Sequence, residues 1–296
     1  MMKAMLPNLM EREVVGNITD TLNKLGIMYR IFSRVKDSHS LSKKISSKFK
    51  YLEGSSRIQD FIGVRVVMYF PDDIELVHKT MTAIYCERKK DASIDDLDDN
   101  TFKPVRYNLV YELPKDSCYD LGFDNAHCVD NTFELQIRTV LSEGWHEVEH
   151  DLRYKFQDDW SASHIESRKL NGVYASLETS EWTMIRILED VAYKHYKQQN
   201  WEAMLRQKLR LRIQDFDLGE DINLLFDSNT ELAKKFFRVD RESLITELYE
   251  KGFDYPLTLK NIVFFTNTVF VRDKSILGLT PEEFVEEYTL EHEKLC

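Results

Sequence analysis

The sequence predicts an α+β protein, in which helices flank a mixed central β-sheet and a helical C-terminal extension follows. Val64–Phe70 is a strand-sized run of β-branched and aromatic residues, and Thr132–Thr139 alternates polar with apolar residues. Apolar residues at helical spacing fill Glu166–Ile213. A change of composition near Phe216 divides a domain at residues 1–215 from an extension at 216–296, whose role stays open.

The N-terminal elements follow from local signals. Leu9–Leu25 has apolar residues at helical spacing and ends before Gly26, which predicts an amphipathic helix. Ile27–Lys36 alternates as a strand does. Ser38–Lys50 is expected to be a short helix with Ser38 as its N-cap.

The later elements are read in the same way. Asp72–Cys86 is predicted to be helical, Ala92–Thr101 an exposed acidic loop, and Arg106–Leu113 a further strand, for a sheet of about four strands. Leu141–Phe156 is expected to be a helix. Its predicted buried stripe is Leu141, Trp145, Val148, Leu152 and Phe156. Ile262–Val271 fits a helix or a strand.

Composition excludes several classes of protein. No apolar run approaches the ~20 residues that cross a bilayer, and the N-terminus lacks the apolar core of a signal peptide, so a cytoplasmic protein without a membrane partner is expected. The net charge of −11 opposes general binding to nucleic acid. The four cysteines are scattered, which argues against disulfides or structural zinc.

Positive charge is concentrated in one short window. Residues 30–57 hold eight basic and two acidic side chains in an otherwise acidic chain. Within it, Arg34, Lys36, Ser40 and Lys44 run from a strand end into a helix, where Ser40 and Lys44 share a face. The window suits a small polyanion such as a nucleotide phosphate, although a solvated basic face is equally compatible with the charge alone.

Two further clusters lie at predicted strands. Arg57, Asp60 and Arg65 lead into the first buried strand, where a carboxylate between arginines can hold Mg2+ beside phosphates, or form ordinary salt bridges. Period two places Glu134 and Gln136 on one face of Thr132–Thr139, together with Arg138. Such a carboxylate can bind a metal ion or accept a proton.

A competing motif points to zinc. His146-Glu147-x-x-His150 would place two histidines on one helix face, as in a zinc hydrolase. No third histidine follows at the metzincin spacing, and Glu149 and Asp151 add charge where such helices are usually apolar. The sequence therefore disfavours a zinc hydrolase.

Taken together, these segments resemble the synthetase domain of the RelA/SpoT family, which makes the alarmones pppGpp and ppGpp. The resemblance covers about residues 27–156. It depends on Glu-Leu-Gln-Ile-Arg-Thr at 134–139 and on Trp-His-Glu-Val-Glu-His-Asp-Leu-Arg-Tyr-Lys at 145–155. The basic cluster at 34–44 and Asp-Phe-Ile-Gly-Val-Arg at 60–65 fall in the matching order. The fold implied is a nucleotidyltransferase-like sheet of the small alarmone synthetase type.

The resemblance implies a role for each matching residue. Arg34 and Arg57 would hold the adenine of ATP. The side chains implied to contact the phosphates of ATP are Lys36, Ser40, Lys44 and Arg65. Asp60 and Glu134 would bind Mg2+, and Glu134 would act as base on the acceptor's 3′-hydroxyl with Gln136 beside it.

The acceptor side departs from the family pattern. That family's Gly-Tyr-x-Ser-x-His loop is here Lys-Pro-Val-Arg-Tyr-Asn-Leu-Val-Tyr at 103–111, without the glycine and serine. Tyr107 could be the stacking tyrosine, which would put Tyr111 in the histidine position. The other acceptor-binding candidates are Arg138, His150 and Lys155.

The function implied is transfer of the β,γ-pyrophosphate of ATP to the 3′-hydroxyl of GDP or GTP, with Mg2+ as cofactor. Toxic members of the family use other nucleotides or the 3′ end of tRNA, so a tRNA or antitoxin partner and a homo-oligomer are compatible with the resemblance. No histidine–aspartate hydrolase domain is expected, since only about 26 residues precede the matching region. The alternative is a catalytically inactive nucleotide-binding regulatory module.

Overall fold

A computed structural model describes residues 6–47, 57–95, 106–114 and 126–289. The chain divides into two compact units, residues 1–20 with 29–181 and residues 21–28 with 182–296. The boundary that composition suggests at 215/216 stays a prediction about separately folding domains. No helix in the described ranges is long and apolar enough to span a bilayer.

The first unit is built on a five-stranded mixed sheet. Its strands are β1 (Tyr29–Val35), β2 (Ile62–Met68), β3 (Ser93–Ile94), β4 (Tyr107–Glu112) and β5 (Thr132–Thr139). Their order is β1-β2-β5-β4-β3, in which β2 and β5 are parallel and every other neighbouring pair is antiparallel. The α+β class is thus confirmed, and two-residue β3 is the strand that the sequence reading did not include.

One face of this sheet is the hydrophobic core. Phe133, Leu135 and Ile137 of β5 are buried there, and Phe133 stacks on Tyr111 of β4 with ring centroids 5.6 Å apart. The helix α1 (Leu6–Lys24) reaches this face, because Glu11 accepts a hydrogen bond from Ser33 of β1. Polar and apolar residues therefore alternate along β5 because every second side chain is buried, as predicted.

The described part of the first unit contains three more helices. They are α2 (Ser38–Ser47), α3 (Ile74–Ile84) and α4 (Val140–Glu149), of which α3 packs on the core side. Asp37, not Ser38, caps α2, since its carboxylate accepts from the Ser40 amide. Thr139 and Ser142 form a reciprocal capping box that starts α4 directly after β5.

The predicted stripe on residues 141–156 is wrong for its second half. After α4 the chain continues as a π-helical turn, His150–Tyr154, and then a 3-10 turn, Gln157–Trp160. Trp145 is buried, but Val148, Leu152 and Phe156 are each at least half exposed. The reason is that α4 turns Glu143 and Glu147 toward the sheet, where they bind Arg65.

The helix α5 (His164–Lys197) extends from the first unit into the second, which contains the remaining helices. These are α6 (Trp201–Leu209), α7 (Glu220–Ser228), α8 (Thr230–Arg238), α9 (Arg241–Glu250), α10 (Leu259–Thr266), α11 (Lys274–Leu277) and α12 (Glu282–Thr289). The ambiguous segment 262–271 is helical, since a π turn, Asn267–Val271, continues α10. Gly26 has φ +66°, and a Cβ there would lie 2.3 Å from Leu257 Cδ2, so this turn requires glycine. The helical C-terminal extension is confirmed over the described residues.

Candidate active site

The exposed face of β5 carries a row of three polar side chains. Glu134, Gln136 and Arg138 are partly buried there, as the period-two pattern predicts. Gln136 Nε2 donates to Glu134 Oε2 at 3.1 Å, and Arg138 Nη1 donates to Glu143 Oε2 at 3.1 Å. The row is therefore held in place by hydrogen bonds within the strand and to α4.

Strand register brings the basic residues of β1 and β2 beside this row. Gly63 of β2 pairs with Glu134 on one side and with Arg34 on the other. Arg65 pairs with Gln136, and its Nε donates to the Gln136 side-chain oxygen at 3.0 Å. Residues that are far apart in sequence thus meet on one face because β2 lies between β1 and β5.

Asp60 is held by two lysines of the predicted phosphate cluster. Lys36 Nζ lies 2.7 Å from Asp60 Oδ2, and Lys44 Nζ lies 2.7 Å from Asp60 Oδ1. Burial acts to raise the pKa of Asp60, but the hydrogen bonds and charges of both lysines outweigh it and hold the pKa below its usual value. For Lys36 the effect of burial is the larger one, and it lowers the pKa of the ammonium group despite the hydrogen bond to Asp60.

Glu134 has the opposite electrostatic environment. Burial and the nearby negative charge of Asp60 raise the pKa of the Glu134 carboxyl above its ordinary value, although the Gln136 hydrogen bond opposes this. Asn108 of β4 adds a second, longer hydrogen bond from Nδ2 to Glu134 Oε1, at 3.4 Å. A raised pKa makes this carboxylate a better proton acceptor near neutral pH.

A cavity of about 330 Å³ opens over these carboxylates. Its lining includes seven of the predicted site residues, namely Arg34, Asp60, Arg65, Glu134, Gln136, His150 and Lys155. We call it the donor cavity. Lys155 Nζ is 2.6 Å from Asp151 Oδ1, at the rim that the π-helical turn forms.

A second cavity of about 350 Å³, which we call the acceptor cavity, shares part of this wall. The residues common to both cavities are Arg34, Arg65, Gln136, Glu147 and His150. Arg138, Asn108 and His146 line the acceptor cavity alone. Glu143 is bonded to both Arg65 and Arg138, so two cations in this region share one buried carboxylate.

Tyr107 is not brought to this site. Asn108 pairs with Gln136 and so faces the polar row, which turns Tyr107 to the opposite face of β4. There the Tyr107 hydroxyl is 2.8 Å from His78 Nδ1, and Tyr111 is buried beside Thr82. The placement expected for both tyrosines is therefore corrected, because the reading assumed a loop where a paired strand begins.

Asn108 is the residue that sequence reasoning missed. Alternation along β4 makes Asn108 and Tyr107 opposite in orientation, but only the register with β5 tells which of them faces Glu134. Four of the predicted ATP contacts, Lys36, Ser40, Lys44 and Arg57, are not among the residues that line these two cavities. Ser40 Oγ donates to Asp37, and Arg57 is exposed at the edge of a described range.

The zinc reading is wrong for the described part of the chain. No group of three potential metal-binding histidine, cysteine or acidic side chains occurs in the described ranges. His146 is buried against Trp145 and Tyr174, whereas His150 is exposed and stacks on Tyr154. The two histidines of the motif therefore have separate surroundings.

Fold and site together define a class: an α+β domain with a cavity lined by both basic and acidic side chains, and a partly buried carboxylate, on one sheet face. Residues 33–159 match the family model described as "Region found in RelA / SpoT proteins". That segment is thus similar to the RelA/SpoT region, and the resemblance drawn from the motifs is confirmed.

Two curated relatives cover the same part of the chain. GTP pyrophosphokinase YjbM of Bacillus subtilis (strain 168) is 28% identical over 131 residues, 43% of this chain and 56% of the relative. GTP pyrophosphokinase YwaC of the same strain is 29% identical over 135 residues, 43% of this chain and 59% of the relative. The match therefore spans little more than half the length of each relative.

Solved structures give a similar match. The small alarmone synthetase 1 from Bacillus subtilis aligns with a TM-score of 0.41 and 21% identity, covering 60% of this chain and 92% of that one. A GTP pyrophosphokinase family protein from Streptococcus pneumoniae aligns with a TM-score of 0.41 and 22% identity, covering 64% and 89%.

Proposed function

We propose that this chain is an ATP-dependent pyrophosphokinase that transfers the β,γ-pyrophosphate of ATP to the 3′-hydroxyl of GDP or GTP. The observation that carries the proposal is Glu134, a buried carboxylate with a raised pKa, between the Asp60 cluster and the shared wall of two cavities. The names of the two relatives support guanosine nucleotides as acceptors. Another nucleotide or the 3′ end of tRNA is the alternative acceptor.

The donor cavity suits a triphosphate. Lys36 and Lys44 both bind the carboxylate of Asp60, which lines this cavity. A triphosphate offers both ammonium groups stronger partners than one shared carboxylate does. Arg34, which lines this cavity, is the proposed partner of the adenine, on which a planar guanidinium can stack. Ser40 and Arg57 stay predicted ATP contacts.

Asp60 and Glu134 fit a magnesium ion. Their mutual repulsion is among the causes that raise the pKa of Glu134, so a cation near both would relieve it. Mg2+ is commonly bound by one or two carboxylates together with substrate phosphates. When bound, the ion would neutralise negative charge on the phosphates during transfer.

Glu134 is the proposed base. The acceptor's 3′-oxygen forms a bond to the β-phosphorus of ATP, the bond from that phosphorus to the oxygen bridging to the α-phosphate breaks, and AMP leaves. The proton of the 3′-hydroxyl passes to Glu134, while Asn108 and Gln136 hold the carboxylate in place. Positioning of the two substrates accounts for much of the rate in reactions of this type.

The test is a transfer assay with γ-labelled ATP and Mg2+. GDP, GTP, ADP, ATP and deacylated tRNA are supplied separately, and Glu134→Gln is the blank. Label on GDP or GTP supports the proposal. Label on ADP, ATP or tRNA would show instead that the chain uses the alternative acceptor. ATP binding without label on any acceptor would contradict enzyme activity and favour an inactive regulatory module.

A cytoplasmic location, where ATP and guanosine nucleotides are available, is part of the proposal, as is a homo-oligomer or an antitoxin partner. Toxicity has a direct test that uses the same variant. If the product is toxic, expression of the wild-type chain arrests growth and expression of Glu134→Gln does not. Equal arrest by both would contradict a toxic activity of this site.

A further inference from the structure

His146 has no part in the mechanism above, yet it is buried in the wall of the acceptor cavity. Only 9% of its surface is exposed, and its ring lies 5.5 Å from that of Trp145 and 6.2 Å from that of Tyr174. No hydrogen bond of its ring nitrogens is found among the described residues, and neither nitrogen is among the fully buried atoms that lack a partner. The ring nitrogens are therefore open to the cavity, where a ligand can bind them.

The imidazole is neutral at physiological pH. Burial, with the positive charges of Arg138 and Arg65, lowers the pKa of His146 to about 4. A neutral imidazole offers one N–H donor and one nitrogen acceptor. It therefore matches a polar edge that has both kinds of group.

Of the four arginines that line the acceptor cavity, Arg65, Arg106 and Arg138 are paired with carboxylates, whereas Arg34 lies on the wall shared with the donor cavity. Arg65 and Arg138 both bind Glu143, and Arg65 also binds Glu147. Phosphate groups are drawn to cations that lack such partners, whereas a base edge pairs with neutral donors and acceptors. This part of the cavity is thus better suited to a base than to phosphates.

The position along the sheet agrees with this. Residues two apart on a strand are separated by about 7 Å, so Arg138 lies roughly 14 Å along β5 from Glu134. His146 and Arg138 both line the acceptor cavity, whereas Glu134 lines the donor cavity. A nucleotide whose 3′-hydroxyl reaches Glu134 and which fills the acceptor cavity extends toward His146.

We propose that His146 binds the base of the acceptor nucleotide and contributes to the choice of acceptor. This inference rests on the proposed function, because it takes the acceptor to be a nucleotide held in that cavity. His146 is then a specificity residue at a distance from the reacting atoms, not a zinc ligand.

The test compares His146→Leu, which removes both hydrogen-bonding groups, with His146→Gln, whose amide keeps a donor and an acceptor. Affinities of the full chain for GDP, IDP, ADP and a CCA trinucleotide are measured by calorimetry, with a non-hydrolysable ATP analogue present. Thermal melting of each variant controls for the packing against Trp145 and Tyr174.

We expect His146→Leu to weaken the preferred acceptor by about 10-fold, which corresponds to about 1.4 kcal/mol, and to change the ratios among bases. His146→Gln should stay within about threefold of the wild type, since it retains the hydrogen bonds. Equal weakening of every ligand, or no weakening, would overturn the inference.

A measurement on the unaltered chain removes dependence on the folding of variants. With ¹⁵N-labelled histidine, the His146 ring signals, assigned by their absence in His146→Gln, should move on addition of the nucleotide but not of ribose 5-phosphate. The same shift with both ligands, or with neither, would overturn base binding.

The two proposals fail separately. If the wild type transfers no pyrophosphate but its nucleotide affinities still depend on His146 in a base-selective way, the proposed function fails and the inference holds. If transfer occurs and base selectivity is unchanged by His146→Leu, the inference fails and the function holds. A wild type that binds none of the four ligands overturns the inference.

Discussion

The donor and acceptor cavities share a wall but differ in how the basic side chains beside them are paired. At the donor cavity, the Asp60 carboxylate of the wall is bound by Lys36, which follows β1, and by Lys44 of α2. In the acceptor cavity, Arg65 and Arg138 are held by Glu143, and the neutral His146 lies beside them. This difference indicates that the lysines at Asp60 can exchange their carboxylate partner for a polyanion. The arginines of the acceptor cavity instead stay bound to Glu143, which keeps that cavity in a fixed shape for a largely neutral group.

The largest expected effect concerns the carboxylate between the two regions. Glu134→Gln should lower the rate of transfer by about 100- to 10,000-fold, the range typical of a lost general base. Initial rates with saturating ATP and acceptor measure it. Glu112→Gln, on the neighbouring strand outside both cavities, is the matched control and should leave the rate unchanged. Equal rates for Glu134→Gln and wild type would remove Glu134 from the mechanism.

The two lysines bound to Asp60 predict a strong effect on ATP binding. Lys44→Met should raise the KM for ATP by about 10- to 100-fold, because a charge-assisted hydrogen bond contributes about 1.5–3 kcal/mol. Lys43→Met is the control, since Lys43 is exposed on the same helix. If both variants raise the KM for ATP equally, the effect comes from general attraction by the basic helix and not from a specific contact of Lys44.

The fixed shape of the acceptor cavity predicts an effect on stability. Glu143→Gln leaves Arg65 and Arg138 without their shared buried partner and should lower the free energy of unfolding by about 1–3 kcal/mol. Glu147 also binds Arg65, but its side chain is 55% exposed, so Glu147→Gln should cost less than about 1 kcal/mol. Urea denaturation measures both. Equal losses would show that burial of Glu143 is unimportant.

On the opposite face of the sheet, a change at Tyr107 is expected to affect stability but not acceptor binding. Tyr107→Phe removes the hydrogen bond to His78 and should lower the free energy of unfolding by about 1 kcal/mol. The KM for the acceptor should not change, since Tyr107 faces away from both cavities. A tenfold rise in the acceptor KM would restore Tyr107 as an acceptor contact.

The smallest effect concerns the coupling of the two carboxylates. Burial and Asp60 raise the pKa of Glu134, so Asp60→Asn should move that pKa downward, as the repulsion is lost. Carboxyl ¹³C NMR measures it, with Glu134→Gln to assign the signal. In the wild type, the rate should fall with decreasing pH through the raised pKa, since the base must be ionised to act. An unchanged Glu134 pKa in Asp60→Asn would show that the two groups are independent.

The sequence allowed prediction of the elements that depend on local patterns. Alternation along β5 placed Glu134, Gln136 and Arg138 correctly on one face, and the motif order led to the RelA/SpoT region. Strand pairing could not be read in this way. Because side chains alternate, a one-residue difference in where β4 begins exchanges Tyr107 for Asn108 at the site.

Burial of α4 was also beyond the sequence pattern. Its apolar residues suggested a buried stripe, but Val148 is half exposed, while Glu143 and Glu147 of the same helix bind Arg65. A helix that serves a polar site on its inner face need not bury its apolar residues there. The same tertiary contacts gave His146 surroundings unlike those of a zinc ligand.

The central claim is that one site joins two atoms: the acceptor's 3′-oxygen and the β-phosphorus of ATP. The most direct measurement is proton–phosphorus correlation NMR of the isolated product. We predict that the 3′-proton of the acceptor couples to the inner phosphorus of a transferred two-phosphorus group, and that AMP is released in equal amount. A single phosphate at that position, a modified 5′ end, or free phosphate as the only product would contradict the account.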